Sequence, residues 1–111
     1  MRRKLLVTTG NTFDGYQVSE YLGVVRGIVV RATGIARGFM GAFASIAGGN
    51  VRAFEEVCEE ARAEAYRRMI DHAADKGADA ILAMRYDATE FNQGVTEVLA
   101  YGTAVRLSQG P

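Results

Sequence analysis

The stretch that decides the fold is Val95–Leu107, VTEVLAYGTAVRL. Two more runs, Gln17–Thr33 and Ala80–Phe91, read the same way. All three are rich in β-branched and aromatic residues, and none alternates apolar with polar as a strand wetted on one side does. Along Val95–Leu107, Val95, Leu99, Tyr101, Val105 and Leu107 share one face with Glu97 and Thr103. Val98, Ala100 and Ala104 lie on the other with Thr96, Gly102 and Arg106. Both faces of these strands therefore need cover. One long amphipathic helix is available to supply it, so the second face is expected to meet another copy of the chain.

That helix is Val51–Lys76. Phe54, Val57, Cys58, Ala61, Ala65, Met69 and Ala73 recur at three- and four-residue steps, the stripe of a helix lying on a core. Asn50 suits the N-cap, Glu55 and Glu56 the positive end of the dipole, and Gly77 the left-handed residue that ends many helices. Glu64 and Arg68 attract at i,i+4. Ahead of the helix, Gly34–Gly49 is glycine-rich, with Ile35, Phe39, Phe43 and Ile46 at helical spacing. It reads as a short, weak helix or a helical loop that needs packing to hold it. Lys4–Thr9 reads as a short first strand, and Asn92-Gln93-Gly94 between two β-rich runs is a hairpin signal. The run Gln17–Thr33 would span about 56 Å if straight, so Gly23 and Gly27 are the expected points of bending or bulging. The order is β, long β, weak helix, long helix, hairpin. It predicts one α+β domain over residues 1–111, an antiparallel sheet with the long helix across one face.

Thirteen basic residues balance thirteen acidic ones, which is not the footprint of a nucleic-acid binder. One cysteine in the chain allows no internal disulfide and favours a reducing compartment. No apolar run approaches the ~20 residues of a membrane span. The expectation is a cytoplasmic protein whose partner is itself, with neither nucleic acid nor membrane.

Several phrases together resemble the YbjQ-like family of small bacterial and archaeal proteins: LLVTTG at the start, YLGVVRG at Tyr21–Gly27, the glycine-rich segment, GADAILAMRYD at Gly77–Asp87 and TEVLAYGTAV at Thr96–Val105. The family is labelled heavy-metal-binding and is similar to small α+β subunits that form pentameric rings. The resemblance implies a homopentamer and a heavy-metal ion as the candidate cofactor.

Soft metals need thiolate and imidazole ligands around one point. The candidates are Cys58 and His72, one of each in the chain. They point to similar sides of the helix, but fourteen residues span about 21 Å, so they can share an ion only across subunits. The plainer readings are a buried core thiol for Cys58 and a surface or helix-capping role for His72. A carboxylate site for a hard cation would draw on Asp87, Glu90 and Glu97. Arg85, Asp87 and Thr89 share one strand face, and pairing through the hairpin brings Glu97 toward it. Arg85, Asp87, Glu97 and Tyr101 are therefore the candidate lining of a ligand pocket at a subunit boundary, with an ion pair in register as the structural alternative. Gly41–Gly48 lacks the lysine and hydroxyl of a phosphate loop. Nor does any nucleophile and base pair stand out. The chain is expected to be a non-enzymatic binding protein, with a structural scaffold as the alternative.

Overall fold

Alanine, methionine and valine set the architecture by letting a helix lie close to a sheet. The computed structural model describes residues 4–31, 52–92 and 95–110. They form β1 (Leu6–Val7), β2 (Tyr16–Arg31), α1 (Arg52–Asp75), β3 (Ala80–Asn92) and β4 (Val95–Gln109). The expected cap at Asn50 and the expected weak helix over 34–49 lie outside the described residues. Helix α1 ends as its sequence dictates. Gly77 takes φ +77°, and the amides of Lys76 and Gly77 turn back to the carbonyls of Ala73 and Ala74.

The strand order is β1-β3-β4-β2. β4 lies between β3 and β2 and is antiparallel to both, and β3 and β4 form a hairpin closed at Asn92↔Val95. The sheet is not wholly antiparallel, as the sequence suggested, but mixed. β1 pairs parallel with β3 through Leu6↔Ala80 and Val7↔Ile81. The cause is the route of residues 8–15. They leave β1 at one edge, cross over the sheet face away from α1, where Phe13 packs, and enter β2 at the other edge, so β1 and β2 run in the same direction.

Helix α1 packs on β2 and β4 and barely touches β3. Ala65, Met69 and Ala73 meet Val25, Val29, Ile81, Met84, Ala100 and Ala104 in the main core. A smaller cluster fills the opposite face near the crossing loop, where Phe13, Val18 and Leu107 pack on Ala80, Leu82 and Val105. Gly23 is a bulge residue, with φ +100° beside a register shift between Tyr21 and Gly23. Gly27 is not a bend, since its pairing to Ala100 is continuous with its neighbours. It is glycine because α1 lies directly on it. A Cβ there would strike the Ala65 carbonyl and come within 2.5 Å of the Met69 amide.

Cys58 is not in the core; its side chain is exposed. The buried stripe Ala61, Ala65, Met69, Ala73 extends back four residues to half-buried Val57, and Cys58 sits about 100° further round the helix.

Candidate functional site

The β3–β4 hairpin carries the residues the sequence singled out. Its register is set by a bulge. Leu82 pairs with Thr103 and Arg85 with Tyr101, so Ala83 and Met84 together oppose Gly102. Ala83 takes φ +55°, which is uncommon for a residue with a Cβ. It is held there by the crossing loop. The amides of Ala83 and Met84 donate to the carbonyls of Gly10 (2.8 Å) and Thr8 (3.0 Å), and the Arg85 guanidinium donates to the carbonyls of Thr9 and Met84, both at 2.8 Å.

Beyond the bulge, Arg85, Asp87 and Thr89 stand opposite Tyr101, Leu99 and Glu97. All four candidates, Arg85, Asp87, Glu97 and Tyr101, thus share the sheet face away from α1. They form a flat row there. Arg85 and Glu97 are four strand residues apart, about 13 Å, and Arg85 fastens the crossing loop. Asp87 accepts from the amide of Ala88 at 3.0 Å. The same face continues onto β2, where Arg26 pairs with Tyr101 and Ile28 with Leu99. Tyr21, Val24 and Val30 are 71%, 65% and 52% exposed.

The metal candidates stay apart. Cys58 is exposed near the start of α1. His72, near its end, accepts the Arg26 amide proton on Nδ1 at 3.1 Å. His72 thereby covers the outer edge of β2. One turn back, Arg68 Nη1 donates to the Ile28 carbonyl on the same edge at 2.6 Å. Among the described residues, no group of three or more His, Cys, Asp or Glu side chains is placed to hold a metal ion.

Among the described residues, the helix side of the sheet carries cavities on either flank of α1. One, of about 280 Å³, lies between α1 and β2 and is lined by Val29, Val30, Glu60, Glu64, Arg67 and Arg68. Glu64 pairs there with Arg67 and, at 3.3 Å, with Arg68. The Arg67 hydrogen bond, above all, holds its carboxyl below the usual carboxylate range. The other cavity, of about 370 Å³, lies between α1 and β3 and is lined by Glu59, Arg62, Ala63, Tyr66 and Tyr86. The Arg62 guanidinium sits over the Tyr86 ring, 5.5 Å from its centroid. Burial, then the neighbouring Tyr66, raises the affinity of the Tyr86 phenol for its proton, and Glu59 adds to the effect against Arg62. Sequence reading missed this cleft. Its only local signal is the i,i+4 spacing of Arg62 and Tyr66.

These features define a class: a two-layer α+β domain with one packed sheet face, one largely open one, and no single-chain metal centre among its described residues. The chain belongs to the YbjQ-like family. The family model described as "Putative heavy-metal-binding" matches residues 5–108. A UPF0145 protein of Legionella pneumophila is 54% identical over 101 residues, spanning 91% of this chain and 96% of that one. A UPF0145 protein of Chromobacterium violaceum is 52% identical over 102 residues, spanning 92% and 87%. The fold is shared with a crystal structure from Pediococcus pentosaceus, titled a protein of unknown function in the DUF74 family. It has TM-score 0.61 and 17% identity, and the match covers 94% of this chain and 98% of that one.

Proposed function

We propose that this chain is a non-catalytic, self-assembling binding module of the cytoplasm, whose copies cover one another's open sheet face. The observation that carries the reading is the exposure of Tyr21, Val24 and Val30 on the face that α1 leaves bare. Soluble chains seldom leave such a row to water. The face also suits a second copy electrostatically, because Arg26 and Arg85 stand on it with Asp87 and Glu97. Two cations and two anions let one copy's row meet another's without a net charge clash. Closure as a ring of five is the family expectation. Any ligand of the Arg85, Asp87, Glu97 and Tyr101 row would then be held where copies meet.

The family description brings a heavy-metal ion into this reading. Its ligands would be the Cys58 thiolate and the free ring nitrogen of His72, drawn from different copies because of their separation along α1. The scattered ligands favour the alternative, a scaffold that binds no metal.

Light scattering after gel filtration tests the assembly. The expected mass is five times 12.0 kDa, and a stable 12.0 kDa particle at micromolar concentration removes the reading. The double variant Val24→Lys and Val30→Lys should fall to a single copy with its helical circular dichroism intact. Calorimetry with Cd²⁺, beside Cys58→Ser and His72→Ala, decides between metal binder and scaffold. A binder loses its heat in both variants at unchanged mass. A scaffold gives none in any.

A further inference from the structure

The cleft between α1 and β3 plays no part in self-assembly through the opposite face, yet it gathers two tyrosines, an arginine and a glutamate. It exists because α1 lies over β2 and β4, so the far half of β3 runs out from beneath the helix. Tyr86 stands on the helix-side face there, 41% exposed. Tyr66, two turns from Cys58 along α1, is half-buried against the main core and forms the inner wall. Arg62 reaches over the Tyr86 ring and Glu59 stands one turn before it.

We propose that this cleft binds a planar heteroaromatic ring bearing an exocyclic amino group, of the free nucleobase or nucleoside type. Three features converge on that chemistry. A guanidinium docked on one aromatic face leaves its outer plane open, and such planes and tyrosine rings are the surfaces on which bases stack. Glu59 supplies an acceptor beside that plane, as a carboxylate accepts from the amino group of cytosine. The volume of about 370 Å³ falls within the range of small-ligand sites. The two phenols add hydroxyl donors for ring nitrogens or carbonyls.

The charges choose among related ligands. Arg62 and Glu59 cancel, so the cleft offers no basic track for a phosphate backbone, and a single base is expected rather than a strand. Glu59 likewise disfavours a simple anion, which Arg62 alone would attract.

The test is an amide NMR titration of the ¹⁵N-labelled assembled protein with adenosine, cytidine, uridine, ribose and inorganic phosphate. Adenosine and cytidine should shift the amides of residues 59–66 and 86 saturably, with a dissociation constant of about 1 mM or below. Uridine, which has no amino group, should bind about tenfold more weakly. Arg62→Ala and Tyr86→Leu should each weaken adenosine about tenfold, and Glu59→Gln should narrow the gap between cytidine and uridine. All three positions lie on the surface, and their thermal melts should match wild type. The proposal is overturned if ribose or phosphate gives the same shifts, if the shifts fall elsewhere, or if the folded variants bind adenosine as wild type does. Because the mass measurement does not involve this cleft, failure here leaves the assembly reading standing.

Discussion

On the helix side of the sheet, the residues under α1 are small: Gly27, Ala100 and Ala104, with Val25 and Val29 beside them. On the opposite side, beyond the loop that carries Phe13, the residues are larger: Tyr21, Val24, Ile28, Val30, Leu99 and Tyr101. Small residues bring two backbones close, and glycine at 27 lets the helix touch the strand itself. Large side chains instead fill the roughly 10 Å between a sheet and whatever packs face to face on it. The first face is built for a partner within the chain. The second is left largely open by the described residues, and the proposed assembly would cover it.

The contrast breaks most sharply at Met69, fully buried between helix and sheet. Met69→Ala should cost about 2–5 kcal/mol in urea denaturation, since it leaves a cavity that the rigid sheet cannot fill. Val24→Ala on the other face should cost a single dilute copy under about 0.5 kcal/mol, and its effect should appear as weaker association. Equal costs at the two positions in dilute protein would mean that both faces are covered within one copy.

Gly27→Ala comes next. If the glycine were a bend, a methyl group would be tolerated. Since α1 lies on it, the methyl must push the Ala65 carbonyl and the Met69 amide away, at about 1–3 kcal/mol. A midpoint within error of wild type would show that the helix can lift, and that the close face is less rigid than its packing indicates.

Much of this architecture was legible beforehand. The stripe at Ala61, Ala65, Met69 and Ala73 locates α1, and the period-two reading of Val95–Leu107 assigns both faces of β4 correctly. What escaped has physical reasons. The parallel pairing of β1 depends on where residues 8–15 cross the sheet, and no local pattern encodes that path. The bulge is silent because an alanine at positive φ gives no propensity signal. Gly27 reads as a bend because sequence cannot tell a glycine needed for its torsions from one needed for its missing Cβ. Of the candidate site, the sequence placed Arg85, Asp87, Glu97 and Tyr101 on one face. It could not see that Arg85 holds the crossing loop, because that contact spans 76 residues. Tyr86 was invisible for the same reason, since Arg62 and Tyr66 reach it from another element.

The bulge offers a smaller test, of opposite sign. Ala83→Gly relieves the left-handed torsion, offset in part by the extra freedom of glycine in the unfolded chain. Thermal unfolding should show a gain of about 0.5 kcal/mol. A loss would mean that the alanine methyl packs usefully between loop and hairpin, which would make the bulge part of the covered region.

The smallest effect concerns the rim where α1 meets the edge of β2. Glu64 is held below the usual carboxylate range chiefly by its hydrogen bond from Arg67, with partial burial opposing and the charges of Arg67 and Arg68 assisting. A carboxyl lowered on folding adds stability above its unfolded value, about pH 4.3, and loses it as pH falls through the folded value. Glu64→Gln should therefore lower the melting temperature slightly at pH 7, and the gap should close as pH falls through the folded value. The gap at pH 7 should shrink in about 1 M salt, because the arginines are well exposed to screening ions. Persistence of the gap at low pH would show that Glu64 supports the helix by packing on Val29 and Val30. The close face of the sheet would then extend to its edge, rather than giving way there to charges that water can replace.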